Sequence, residues 1–174
     1  MEKEAEGPLK LRYAGETFES GLKAGYQIEN MNTAIEAIER SGLEAQEEAV
    51  IAALNEINVP GRMEKISERP ELFVDGAHNK EGMKALTSSI DSFDTMVFGC
   101  MEKKPYRDMI GLLRPHTENM IFTRPEKDHA WNPESVEDGK IVENPFKAVK
   151  AAEGCTRVTG SLYLAGAIRE KFRD

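Results

Sequence analysis

The chain has 174 residues, 40% of them hydrophobic, and carries 23 Lys and Arg against 31 Asp and Glu, a formal charge of −8. That length is one ordinary domain, or one domain with part of a neighbour, and the composition excludes disordered and collagen-like chains. The acidic balance, with no basic run longer than Lys103-Lys104, argues against nucleic acid, because phosphate binding needs clustered Lys and Arg.

In chain order, Leu9 to Tyr13 alternates as a strand, and Gly15 and Gly21 punctuate the next stretch. Two amphipathic helices come after it, one carrying Met31, Ala34, Ile35 and Ile38, the other Val50, Ala53, Leu54 and Ile57. Ser41-Gly42 breaks the first and Pro60-Gly61 ends the second, so a boundary is expected near Pro60. The stretch up to Tyr26 has too little chain to bury both faces of a sheet and reads as a remnant of something larger.

From Gly61 onward the pattern changes. Five short apolar or β-branched runs, Leu72-Phe73-Val74, Met96-Val97-Phe98, Met120-Ile121-Phe122-Thr123, Ile141-Val142 and Arg157-Val158-Thr159, alternate with helically spaced segments. Those segments carry Met83, Leu86 and Ile90; Met109, Ile110, Leu112 and Leu113; Phe146, Val149 and Ala152; and Leu164, Ala165, Ile168 and Phe172. Continuous apolar strands between helices predict an α/β fold, a mostly parallel open sheet with helices on both faces. Arg62 to Ile66 alternates before the Glu68-Arg69-Pro70 turn and is expected to pair antiparallel with the next run as an edge hairpin.

No stretch approaches the roughly 20 apolar residues of a membrane span, and the start Met1-Glu2-Lys3-Glu4 lacks the basic-then-apolar form of a signal peptide, so a cytoplasmic protein is expected. The two cysteines, Cys100 and Cys155, have neither C-x-x-C nor metal-ligand spacing and read as buried free thiols.

In open parallel sheets, ligands bind beyond the carboxyl ends of the strands, where helix N-termini present N–H groups. Two such junctions stand out: Asp75-Gly76-Ala77-His78-Asn79 after the first strand and Thr159-Gly160-Ser161-Leu162-Tyr163 after the last. Asp75 could accept from a ribose diol, His78 could donate to a phosphate or carboxylate oxygen, and Ser161 with its helix N-terminus could hold an anion. Each has a plainer reading beside it. Asn79 and Ser161 are good N-caps, Gly76 and Gly160 permit tight turns, Arg62 is an edge-strand charge, and His116 and His129 read as solvated loop residues. The sequence contains no G-x-x-x-x-G-K-[ST]: its Gly139-Lys140 pair has Glu134 where the first glycine would stand. G-x-G-x-x-G, H-E-x-x-H and G-x-S-x-G are missing as well.

Four elements in order carry a resemblance: Gln27-x-x-Asn30, Pro60-Gly61-Arg62, Asp75-Gly76-Ala77-His78-Asn79 and Val158-Thr159-Gly160-Ser161-Leu162-Tyr163. Together they resemble the C-terminal part of folylpolyglutamate and dihydrofolate synthases, within the Mur ligase superfamily. The Gly99-Cys100-Met101-Glu102-Lys103-Lys104 turn is similar to that family's Gly-Met-Asp-Lys-Asp segment. The resemblance implies a Rossmann-like C-terminal ligase domain over 61–174, preceded by linker helices over 27–60 and by the end of a central ATPase domain over 1–26. It also implies an ATP-dependent ligase joining L-glutamate to a folate or pterin carboxylate through an acyl phosphate. Under it, Asn30 would contact adenine, Arg62 the nucleotide phosphates and Asp75 the ribose. His78 would lie near the phosphates and the incoming glutamate in a catalytic role, and Ser161 would help bind glutamate. ATP is then the implied cofactor, with Mg2+ held by ligands on an N-terminal P-loop ATPase domain, which becomes the implied partner.

Departures from the family pattern are Tyr26 for histidine, Met31 for alanine, Lys80 for proline, Pro105 for aspartate, and His129 where arginine is common. With no P-loop in its sequence, the chain is expected to be inactive alone, and to be a piece of a longer synthase rather than a natural separate chain. The alternatives are a peptidoglycan-precursor ligase of the same architecture and a non-catalytic nucleotide- or amino-acid-binding module.

Overall fold

The computed structural model describes residues 9–13, 16–20, 22, 24–44, 46–136 and 138–173. Gly15, Gly21 and the acidic start Met1–Glu4 lie outside them. The chain divides between Pro60 and Gly61 into two compact units.

In the first unit, β1 (Leu9–Tyr13) pairs antiparallel with β2 (Glu16–Ser20), with Tyr13 opposite Glu16. Helices α1 (Gln27–Ser41) and α2 (Glu47–Glu56) come after them. Gly42 ends α1 in the left-handed conformation, φ 73°, as its sequence position predicts. The second helix stops four residues earlier than the Pro60-Gly61 punctuation suggests. Ile57 is already extended, and it and Val59 pack on the Leu22, Met31 and Leu54 cluster instead of continuing the helix. Ser20 ties strand to helix by donating its hydroxyl to Leu54 O at 3.2 Å and accepting from Leu22 N.

The second unit is the expected α/β fold. Its strands are β3 (Glu64–Glu68), β4 (Glu71–Val74), β5 (Phe93–Phe98), β6 (Thr117–Phe122), β7 (Lys140–Ile141) and β8 (Thr156–Thr159), in the sheet order β3-β4-β8-β5-β6-β7. Every pairing is parallel except β3 with β4, the predicted edge hairpin. Helix α3 (Lys80–Thr87) leads from β4 to β5 and α4 (Tyr106–Leu113) from β5 towards β6. Helix α5 (Pro145–Lys150) returns the chain from β7 to β8, and α6 (Leu162–Phe172) closes it. Right-handed crossovers running one way through α3 and α4, and back through α5, put the two groups on opposite faces. Alternation along the strands matches this arrangement. Leu72, Val74, Val97, Ile121 and Val158 form one core cluster with Ala148, Val149, Leu164, Ala165 and Ile168 of α5 and α6. Their neighbours Phe73, Met96, Phe98 and Phe122 point to the other face and are equally buried.

Arg157, read from sequence as part of an apolar run, is fully buried in β8. Its guanidinium lies 3.9 Å from the Phe93 ring centroid and 5.2 Å from that of Phe73, so two aromatic faces meet the charge. Met63 Sδ is a further contact. Cys100 is the buried free thiol expected; Cys155 forms no disulfide either but is only half-buried. Burial pushes the Cys100 thiol up to about 12, leaving it protonated and unreactive near neutral pH. Among the described residues no helix is long and apolar enough to cross a membrane.

Gly160 closes the last strand at φ 107°. A methyl group there would stand 2.6 Å from the Gly99 carbonyl oxygen and against the Phe98 ring. Backbone strain and overpacking therefore act together, and Gly160→Ala is expected to cost about 2–4 kcal/mol in urea unfolding, with the midpoint falling accordingly.

Candidate functional site

The helices after β4 and β5 leave on one face and the helix after β8, the strand between them, leaves on the other. Their loops therefore diverge at the carboxyl end of β8 and open a crevice there. Three segments line it and are stitched together by backbone. Asp75 N donates to Val158 O (2.9 Å), Gly160 N to Ala77 O (3.0 Å) and Gly99 N to Thr159 O (3.2 Å). The fourth wall is the turn before β3, where Gly76 N donates to Gly61 O at 2.7 Å.

This scaffold brings together four of the five residues singled out from sequence. Asp75 is only 1% exposed, and its carboxylate is a loop organiser: Oδ1 accepts from Ala77 N (2.8 Å) and Oδ2 from Met63 N (2.9 Å). His78 is half-buried with Nδ1 2.9 Å from Gly76 O. A carbonyl can only accept, so Nδ1 carries the proton and the neutral ring keeps its lone pair on Nε2. Ser161 is buried and caps α6, its Oγ accepting from Tyr163 N at 3.2 Å. Asn79 caps α3, Oδ1 accepting from Gly82 N at 2.7 Å. Both cap readings hold.

Arg62 is not on an edge strand, because β3 begins two residues later. It sits half-exposed in the turn beneath Gly76. A methyl group on Gly76 would meet the end of the Leu162 side chain and lie 3.2 Å from Arg62 Nη1, which places the guanidinium against this loop. Asn30, the fifth residue, belongs to the first unit, where its Nδ2 donates to Gln27 Oε1 at 2.9 Å in the opening turn of α1. Of the other histidines, His116 is half-buried with Nδ1 2.9 Å from Asp91 O, while His129 is exposed in the left-handed region at φ 60°.

Two departures from the family pattern have structural roles. Lys80 opens α3 and reaches Asp108 on α4, Nζ to Oδ2 2.9 Å, joining helices whose first turns both face the crevice. The Asp108 carboxylate raises the Lys80 ammonium above its ordinary pKa. Pro105 stands at the start of α4, and the adjoining Tyr106 ring stacks on Trp131 at 4.7 Å.

The Mur ligase, glutamate ligase domain model matches residues 61–167. The chain belongs to that family. A Bacillus subtilis protein named dihydrofolate synthase/folylpolyglutamate synthase is 27% identical over 144 residues, covering 73% of this chain and 34% of its own length. Among solved structures, the folylpolyglutamate synthase of Thermotoga maritima is 26% identical with a TM-score of 0.78, covering 97% of this chain and 44% of that one. A Mycobacterium tuberculosis folylpolyglutamate synthase complexed with ADP is 25% identical with a TM-score of 0.82, covering 96% and 45%. The chain thus spans less than half the length of each of these relatives.

The glutamate ligase domain has one feature that its sequence did not bring to notice. A cleft of about 600 Å3 opens after β6, one strand beyond β5, lined by Arg124, Glu126, Lys127, Asp128, Glu143 and Asn144 among others. Its Lys127 Nζ lies 5.4 Å from the Tyr163 ring centroid, joining the cleft to the first turn of α6. The signal was present, since Arg124 to Asp128 packs charges of both signs directly after a strand, the same position that drew attention to Asp75 and Ser161.

Proposed function

We propose that this chain forms the C-terminal side of the site of an ATP-dependent ligase that adds L-glutamate to the carboxylate of a folate or pterin, releasing ADP and phosphate. The observation that carries the reading is the meeting of Arg62, Asp75 and His78 at one parallel-sheet crevice, within a domain of the glutamate-ligase family. ATP supplies a phosphoryl group that turns a carboxylate into an acylating agent. Arg62 faces the phosphates, as a half-exposed guanidinium with its backbone fixed on both sides is suited to do. Asp75 accepts from a ribose hydroxyl, and Asn30 meets the adenine. His78 is the catalytic candidate, its Nε2 able to accept a proton from the attacking amine or, once protonated, to neutralise phosphate charge.

Glutamate is a zwitterion with an extra carboxylate. Cations and anions line the cleft beside α6 together, and Ser161 stands at that helix's start. Among the described residues no three His, Cys, Asp or Glu side chains gather as a metal-ligand set. The Mg2+ that accompanies ATP is assigned to carboxylates of a partnering P-loop ATPase domain, and cytoplasmic residence follows from the same reading. The test is ADP formation by the chain combined with such a domain. ADP dependent on both L-glutamate and a folate or dihydropteroate is expected. Turnover with peptidoglycan precursors and none with folates, or nucleotide binding without turnover, would overturn it.

A further inference from the structure

We infer that Glu64 and Arg169 are positioning residues for Arg62, an inference that rests on the nucleotide reading above. The guanidinium of Arg62 is on a flexible side chain in a turn, yet its main chain is pinned at both neighbours. On one side Gly61 adopts φ 67°, donates its N–H to Glu64 Oε2 at 2.7 Å and accepts from Gly76 N at 2.7 Å. On the other, Met63 adopts φ 50° and donates to Asp75 Oδ2 at 2.9 Å. The Asp75 anchor belongs to the site itself; the Glu64 anchor does not.

Glu64 is 7% exposed, and a carboxylate is not stripped of water there without a counter-charge. Arg169 provides one from the last turns of α6, its Nε 2.9 Å from Oε1 and 2.8 Å from Oε2. The charged pair gives Gly61 N a stronger acceptor than a neutral side chain would. It thereby holds the turn in the left-handed conformation that lays Arg62 against Gly76. Preorganising the turn removes an ordering cost that ATP binding would otherwise carry. The Glu64 carboxylate is taken up by Gly61 N and Arg169, and the Arg169 Nε by Glu64, so their effect on the phosphates is expected to pass through the turn that carries Arg62.

The test is a double-mutant cycle read by NMR titration of the 174-residue chain with ATP and, separately, adenosine. Arg62→Ala and Glu64→Ala are each expected to weaken ATP binding about five- to tenfold, and adenosine binding less than about twofold. In the Arg62→Ala background, Glu64→Ala should then cost ATP no more than about a further twofold, because its effect passes through the residue already removed. If Glu64→Ala does not fold, Arg169→Ala takes its place, with about threefold weaker ATP binding expected and the same non-additivity. Additive losses, unchanged ATP affinity in the Glu64 or Arg169 variant, or parallel losses for ATP and adenosine would overturn the positioning role and leave the nucleotide reading standing. An Arg62→Ala variant that binds ATP as the parent does, or a parent chain with no ATP binding, overturns the nucleotide reading as well.

Discussion

Incubated alone with ATP, L-glutamate and a folate, the 174-residue chain is expected to release no phosphate above background. Supplying a P-loop ATPase domain in trans or by fusion should raise the rate by at least about a thousandfold. Phosphoryl transfer runs almost entirely on positioning and charge neutralisation, and a P-loop's N–H cradle, lysine and magnesium ligands carry most of both. The sequence has no such loop. The crevice of the second unit offers Arg62 and His78 at one end of a sheet, but no metal-ligand cluster among the described residues. Phosphate release and ADP formation, with and without glutamate, measure this directly. Robust glutamate-dependent release by the chain alone would contradict it.

The second large effect is at His78. In the ligation-competent assembly, His78→Ala is expected to lower ligation at least about tenfold while moving the unfolding midpoint little. His78 is half-buried and its ring is bonded to Gly76 O at the crevice, so the fold loses little with it. Asp75→Ala should be just as damaging to ligation, but for a mixed reason. Its buried carboxylate satisfies Met63 N and Ala77 N, and leaving both N–H groups without acceptors should cost about 2–4 kcal/mol of stability. Asp75→Asn, which keeps one acceptor oxygen, separates the two contributions. Unchanged turnover in His78→Ala would remove it from the site.

Much of the second unit was legible in the sequence because parallel strands buried on both faces write themselves as unbroken apolar runs. Leu72 to Val74 and Met96 to Phe98 are such runs, and both are central strands. The strand ends were less visible. Phe93 to Thr95 extends β5 although Asp94 interrupts the apolar pattern, because Asp94 is turned outward and Oδ2 accepts from Cys155 N at 2.6 Å. Local pattern also located the crevice, since loops after strands are short and carry Gly, Asn and Ser for reasons of turn and cap chemistry. Sequence could not disclose how those residues are held. Glu64 and Arg169 are 105 positions apart, Met63 and Asp75 are joined through a backbone N–H, and Arg157 is sheltered by two phenylalanines from separate strands. Each is a product of the strand order β3-β4-β8-β5, which no periodicity encodes. For the same reason the sequence marks Asp75 as a candidate ligand residue without showing that its carboxylate fastens two loops.

The proposed meeting point of nucleotide phosphate with this chain is the crevice at the carboxyl ends of β4, β8 and β5. Amide chemical-shift mapping of the 174-residue chain titrated with ATP checks it. Within the second unit, the largest shifts should fall on Gly61 to Met63, Asp75 to Asn79 and Gly160 to Leu162. Shifts centred instead on the amino ends of β5 and β6 and the turn before β7, around Thr95, Glu118 and Gly139, would rule it out.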